Sequence, residues 1–181
     1  MHIALVNFSF SSHLEDFYKL LQEPTVVKLK INFVQNQFDK QFQSFGDFYI
    51  LGPMKYFYDS AEIKIFANSN FVVTKNCLTK QVVYNDLDQR QLSIFDIISG
   101  NKRYIEFSDE LNDFNRYNYF IKSMGFEGYF LFESNSRSLK LIHLELGSSQ
   151  SISIKVSEIE VLDAYEPAID LEDYEVIDLR G

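Results

Sequence analysis

The chain carries one cysteine, no tryptophan, three histidines, three prolines and seven glycines in 181 residues. A single cysteine, Cys77, excludes an intramolecular disulfide and suits a reducing compartment. As a lone thiol it reads as a small buried hydrophobe. His2, His13 and His143 stand far apart, without the spaced partners of a metal site, so no metal is expected. The low glycine and proline content argues against long flexible linkers, and there is no internal repeat. A glycine-rich phosphate loop and a G-x-S-x-G nucleophile elbow are both absent. No apolar run approaches the length of a transmembrane helix. The short run from Ile3 to Val6 has no basic residues before it, unlike a secretory signal. The expectation is a cytoplasmic protein without membrane contact.

Positive charge is also scarce where it would matter. Nine of the 26 acidic residues fall in residues 151–181, against two of the 17 basic ones. The body is nearly neutral, and most of the formal net charge of −9 sits at the C-terminal end. Phosphate recognition needs clustered Lys and Arg, so nucleic-acid binding is not expected. What is abundant is aromatic: 18 Phe and 11 Tyr.

The acidic residues Glu158, Glu160, Asp163, Glu166, Asp170, Glu172, Asp173, Glu175 and Asp178 alternate with apolar ones such as Ile159, Val161, Leu162, Tyr165, Ile169 and Tyr174. A purely solvating tail would not retain these apolar side chains. They pack on the body as an acidic outer face, or they form a ridge that docks on a basic protein. In the second case Glu158 through Glu175 form the partner-binding set, with charge selecting the partner.

Residues 108–132, SDELNDFNRYNYFIKSMGFEGYFLF, read as a helix feeding a strand. Ser108 is a candidate N-cap, with Asp109 and Glu110 in the first turn, where the helix dipole favours negative charge. Leu111, Phe114, Tyr117, Ile121 and Met124 recur at helical spacing. Gly125 stands where a left-handed C′ residue ends a helix. The run 129–132 is a strand buried on both faces. Glu127, between Gly125 and Gly128, is an exposed loop carboxylate or a solvated turn residue.

Elsewhere, 2–8 reads as a strand, and Ser12 with Glu15 forms a capping box for a helix that Pro24 ends. Residues 27–33 alternate as a half-buried strand. Phe38, Phe42 and Phe45 recur at helical spacing. Residues 47–51 form a short strand, and Asp59 or Ser60 caps a helix reaching Asn68. Strands follow at 71–74 and 81–84, then a helix over 86–99 with Leu92, Phe95 and Ile98 inward. Further strands are expected at 103–107, 139–146 and 152–156. The fold class expected is α+β, mixed helices with a mostly antiparallel, strand-rich core. The expected division is one domain over 1–156 and an acidic C-terminal segment over 157–181.

Three stretches resemble MuF-type and related bacterial ADP-ribosyltransferases, in the same order. These are YFYDSAE at 56–62, VVTKNCL at 72–78 and FIKSMGFEG at 120–128. The last is similar to the family's "LKSLGYDG" before a strand. The resemblance implies that fold, with NAD as cofactor. It implies Tyr56, Tyr58 and His2 around the cofactor, and Glu145 or Glu133 as the late catalytic glutamate. No arginine precedes Arg90, so the family's early arginine is missing and the implied site is degenerate. The function expected from the sequence is therefore a non-enzymatic, cofactor-free inhibitor of immunity or antitoxin type that occludes a basic partner such as a toxin. The alternative is an ADP-ribosyltransferase acting from NAD on a protein or nucleotide target.

Overall fold

A computed structural model describes residues 12–87, 92–102, 105–108, 115–135 and 138–181. The expected strand over 2–8 lies outside them. Helix α1 (His13–Leu20) begins at the expected capping box: the Ser12 hydroxyl accepts from the Glu15 N–H, and Glu15 accepts from the Ser12 N–H. Strands β1 (Val26–Gln37), β2 (Lys40–Gly52), β3 (Lys55–Ser60), β4 (Ile63–Ala67), β5 (Phe71–Asn76) and β6 (Gln81–Asp86) then form an antiparallel meander. After helix α2 (Ile94–Ile98), strands β7 (Ile105–Phe107), β8 (Arg116–Ile121), β9 (Phe126–Phe132), β10 (Leu139–Gly147) and β11 (Gln150–Leu162) form a second one.

The two meanders join along an antiparallel seam between β1 and β11, from Val26 opposite Leu162 to Gln37 opposite Gln150. Strand β12 (Glu175–Asp178) adds to β6 in parallel. Among the described residues the result is one twelve-stranded sheet in the order β12-β6-β5-β4-β3-β2-β1-β11-β10-β9-β8-β7. Long alternating runs of Tyr, Phe, Val and Ile suit this pleated surface.

Each face carries a different cover. On one lie α1 and α2, and the main core packs there around Leu29, Phe48, Tyr58, Phe130, Ile142 and Ile154. On the other, residues 163–174 cross the sheet as a strap over Tyr49 and Phe57. Met124, from the turn between β8 and β9, lines the same cleft as Tyr56, Val72 and Asn85 of β3, β5 and β6. Those elements lie near opposite ends of the strand order, so the sheet curls around its helix-bearing face.

Several expected helices are strands. In residues 108–124, the part described folds as β8, with Tyr119 and Ile121 buried and Arg116 and Phe120 outward. Gly125 does take positive φ, at +68°, but in the turn between β8 and β9. Phe38 lies in the turn of the β1–β2 hairpin, and Phe42 and Phe45 lie on β2. Residues 60–68 hold the β3–β4 hairpin, where Ser60 Oγ accepts from the Ile63 N–H and donates to the Ile63 carbonyl. Of the helix expected over 86–99, only Ile94–Ile98 among the described residues is helical, as α2, and Asp86 instead ends β6. Ser93 starts α2, accepting from the Asp96 N–H while Asp96 accepts from the Ser93 N–H. The strand-rich, mostly antiparallel part of the expected fold class stands.

Candidate functional site

The helix-bearing face is organised around Phe95, the second residue of α2. Its ring packs against Phe33, Phe48, Tyr56 and Tyr58, with centroids 5.5, 5.3, 6.0 and 5.3 Å away. These four rings come from β1, β2 and β3, so the helix is seated by aromatic packing, which favours offset or tilted rings at such separations. Tyr58 is further fixed by donating its hydroxyl to Ser44 Oγ at 2.9 Å.

A cleft opens on either side of Phe95. The first, of about 270 Å³, is walled mainly by Phe33, Phe42, Tyr58, Ile63, Ile65 and Phe95. At its rim Leu78 is 76% exposed and Phe42 is 48% exposed. The second, of about 520 Å³, shares Ile65 and Phe95 but carries polar groups from Tyr56, Thr74, Asn85, Asp86, Ser93 and Asp96. Asp96 is 7% exposed. One carboxylate oxygen accepts from the Ser93 N–H at 2.8 Å and from Ser93 Oγ at 2.7 Å. The Tyr56 hydroxyl also reaches Asp96. Burial nevertheless holds the Asp96 carboxyl above its ordinary pKa, with desolvation outweighing these hydrogen bonds. Burial likewise pushes the Tyr56 hydroxyl upward.

The residues named by the ADP-ribosyltransferase resemblance do not meet. Tyr56 and Tyr58 are 3% and 1% exposed beneath Phe95, so neither face is open to stack on a nicotinamide. Glu145 lies on β10, separated from β3 by three intervening strands, about 19 Å at ordinary strand spacing. It also faces the other side of the sheet, hydrogen-bonded to His143 Nε2 at 2.6 Å, while Ile142 and Leu144 point into the core. Glu133 follows β9, its N–H bonded to the Ser138 carbonyl. His2 lies outside the described residues. Glu127 is on β9 opposite Glu145, not in a loop.

The acidic set is dispersed. Glu158 and Glu160 lie on β11, which passes through residue 156 without a break. Glu158 pairs with Lys30 at 2.8 Å and Glu160 lies 3.9 Å from Lys28. The Lys30 ammonium holds the Glu158 carboxyl below its usual range. Asp163, Glu166 and Asp170 are exposed positions on the strap, whose Tyr165 stacks flat on Tyr49 with centroids 3.8 Å apart. The Asp170 carbonyl accepts from Lys75, a buried lysine whose ammonium also lies 3.9 Å from the Tyr174 ring centroid. Glu172 and Asp173 are exposed, and Glu175 on β12 accepts from Gln81 Nε2 at 3.0 Å. Of the tail's apolar residues, Ile159, Leu162, Tyr165 and Ile169 are thus packed on the sheet, while Val161, Leu171, Val176 and Leu179 remain exposed.

Known proteins add the fold. The chain is similar in structure to an uncharacterized conserved protein from Thermus thermophilus. That match has 12% identity and a TM-score of 0.53, and covers 92% of this chain and 96% of that one. It is also similar to the LolA superfamily protein NE2245 from Nitrosomonas europaea, with 10% identity, TM-score 0.49, and 84% and 93% of the two chains. A third is a putative outer membrane lipoprotein-sorting protein domain from Vibrio parahaemolyticus, with 7% identity, TM-score 0.48, and 85% and 92% covered. No protein-family model and no curated protein matches the sequence.

These findings correct two expectations. The chain does not have the expected ADP-ribosyltransferase arrangement: its described strands form one continuous, almost wholly antiparallel sheet, and FIKSMGFEG, which should end a helix, is the β8–β9 hairpin. The inhibitor of immunity or antitoxin type is likewise unsupported. Its motive was a docking tail, and that tail is a central strand, a strap and an edge strand of the sheet itself.

Sequence reasoning named Phe95 as inward but missed Ser93 and Asp96. The S-x-x-D pattern at 93–96 was the available signal, since it is a capping box ahead of an apolar run. The walls at Phe33, Ile63, Ile65 and Thr74 carried no such signal, because they converge only through the strand order.

Proposed function

We propose that the protein binds a single apolar chain of acyl type, seated on the helix-bearing face between β1–β5 and α2. The observation that carries this reading is the apolar cleft beside Phe95, with Phe42 and Leu78 left exposed at its rim. Concave sites lined by aromatic and aliphatic side chains, with few polar groups, are the usual seats of small ligands. Exposed large apolar side chains at the mouth of such a cleft supply contact area where a chain enters. Gln35, Ser44, Glu62 and Asn76 are the polar residues along the wall, and Ser44 is already taken up by Tyr58.

The test is titration with a neutral polyene fatty-acid methyl ester, whose emission rises in an apolar site. Saturable binding is expected. The paired variant Phe42→Ser, Leu78→Ser, altered at exposed positions, should bind about tenfold more weakly while melting unchanged. Ile65→Trp, which fills the cleft, should abolish binding. No saturable signal, or equal affinity in all three proteins, overturns the reading.

A further inference from the structure

The two clefts beside Phe95 are neighbours with a common wall, and their chemistry differs from end to end. Ile65 and Phe95 line both. On one side the wall continues as Phe33, Phe42 and Ile63, with Gln35 and Glu62 beside them. On the other, Thr74, Asn85, Asp86, Ser93 and Asp96 stand among apolar residues such as Val72 and Leu92. A ligand lying along Ile65 past the Phe95 ring would therefore have an apolar part in the first cleft and a polar part in the second.

The sign of that polar end is set by two carboxylates, the exposed Asp86 and the buried Asp96. No lysine or arginine among the described residues pairs with Asp96. Its hydrogen-bond partners, Ser93 and Tyr56, are neutral donors. Thr74 and Asn85 add neutral groups able to accept or donate. A buried, unpaired carboxylate repels an anionic head and is stabilised by a donor bearing positive charge, since charge-assisted hydrogen bonds are the stronger ones.

We infer that the ligand is an amphipathic amine, with its ammonium against Asp96 and its apolar chain running past Phe95 towards Phe42 and Leu78. This inference rests on the apolar-chain reading above and adds the head group to it. Anionic heads, a carboxylate or a phosphate, are selected against at the same place. The ligand spans the full length of both clefts, so it is longer than the first cleft alone would hold.

The experiment is calorimetry with three probes of equal chain length below their aggregation limits: an alkyl amine, an alkyl alcohol and an alkyl carboxylate. The amine is expected to bind about tenfold more tightly than the alcohol, and the carboxylate more weakly than both. In Asp96→Asn the amine should fall to the affinity of the alcohol, with the alcohol unchanged. Glu172→Gln, an exposed change on the strap, serves as the control for the overall negative charge and should preserve the preference. Equal affinity for the three probes, or a preference that survives Asp96→Asn, overturns the assignment of the head while leaving the chain site standing. If none of the three binds, the chain site itself is wrong and the head assignment falls with it. Should Asp96→Asn fail to fold, Asn85→Leu is the second variant: it should weaken the amine and leave the alcohol unchanged.

Discussion

Tyr119 lies across Gly128, its direct partner on the neighbouring strand, and fills the space a side chain would take. A Cβ at Gly128 would come within 2.4 Å of the Tyr119 ring and 2.3 Å of the His143 carbonyl oxygen. That same carbonyl accepts the Tyr119 hydroxyl at 2.9 Å. In the other meander Tyr58 lies diagonally over Gly46, whose direct partner is Ser60, and a Cβ there would fall 2.8 Å from the Tyr58 ring. Gly128→Ala is therefore expected to destabilise by about 1–3 kcal/mol, the ordinary cost of forcing atoms into a packed core. Urea unfolding measures it. Tyr119→Phe, which removes only the hydroxyl, should cost about 1 kcal/mol. Because the two residues share one space, the double variant should depart from the sum of the singles.

Lys75 ties the strap to the sheet from below. Its ammonium is buried, with the Asp170 carbonyl and the Tyr174 ring as its partners. Lys75→Met keeps the length and removes the charged donor. The expected loss is about 1.5–3 kcal/mol, the range for hydrogen bonds to charged groups. Hydrogen exchange should speed up at β12 and leave β8 and β9 unchanged.

Tyr165 anchors the other half of the strap through its stack on Tyr49 and its contact with Phe57. Tyr165→Ala is expected to cost about 1–2 kcal/mol, from the aromatic pair together with lost burial. It should also uncover Tyr49 and Phe57, seen as new binding of a hydrophobic dye to the strap face.

Asp96 gives the fold a pH dependence of definite sign. Its ordinary value is 3.8, and burial raises it in the folded state. The folded protein therefore holds this proton more tightly than the unfolded chain, and stability falls as pH rises from 3.8 through the raised value. Asp96→Asn removes that contribution. The stability of Asp96→Asn minus that of the parent should rise with pH across this window, as read from urea midpoints. A flat difference would show that burial does not govern this carboxyl.

What was legible in the sequence was local. The capping box at Ser12 and Glu15 needs only four residues, and α1 begins there. The alternation of 27–33 and of 152–156 marked β1 and β11 because one face of each is buried. The misread segments share a cause. Tyr117, Ile121 and Met124 fit a helical spacing, but Tyr119 between them fits only the strand, and Tyr119 is buried. Phe38, Phe42 and Phe45 also fit a helix face, yet they remain largely exposed, so no core selects that periodicity. Three- and four-residue spacing in an aromatic-rich chain is ambiguous between the two structures until the partner strand is known. The clefts lay out of reach for a related reason, since their walls come from several strands and a helix of five residues.

The seam between β1 and β11 also sets an order in time. Each meander is built from hairpins between neighbours in the chain, whose ends close quickly. The seam instead joins Val26 to Leu162 and Gln37 to Gln150, so it cannot form on the ribosome until the chain has been made past residue 150. Until then the nascent chain carries β1 as an open edge of the first meander, with its full row of backbone groups unpaired. The segment after β10 both closes that edge and, through the strap and β12, covers the far side of the same meander.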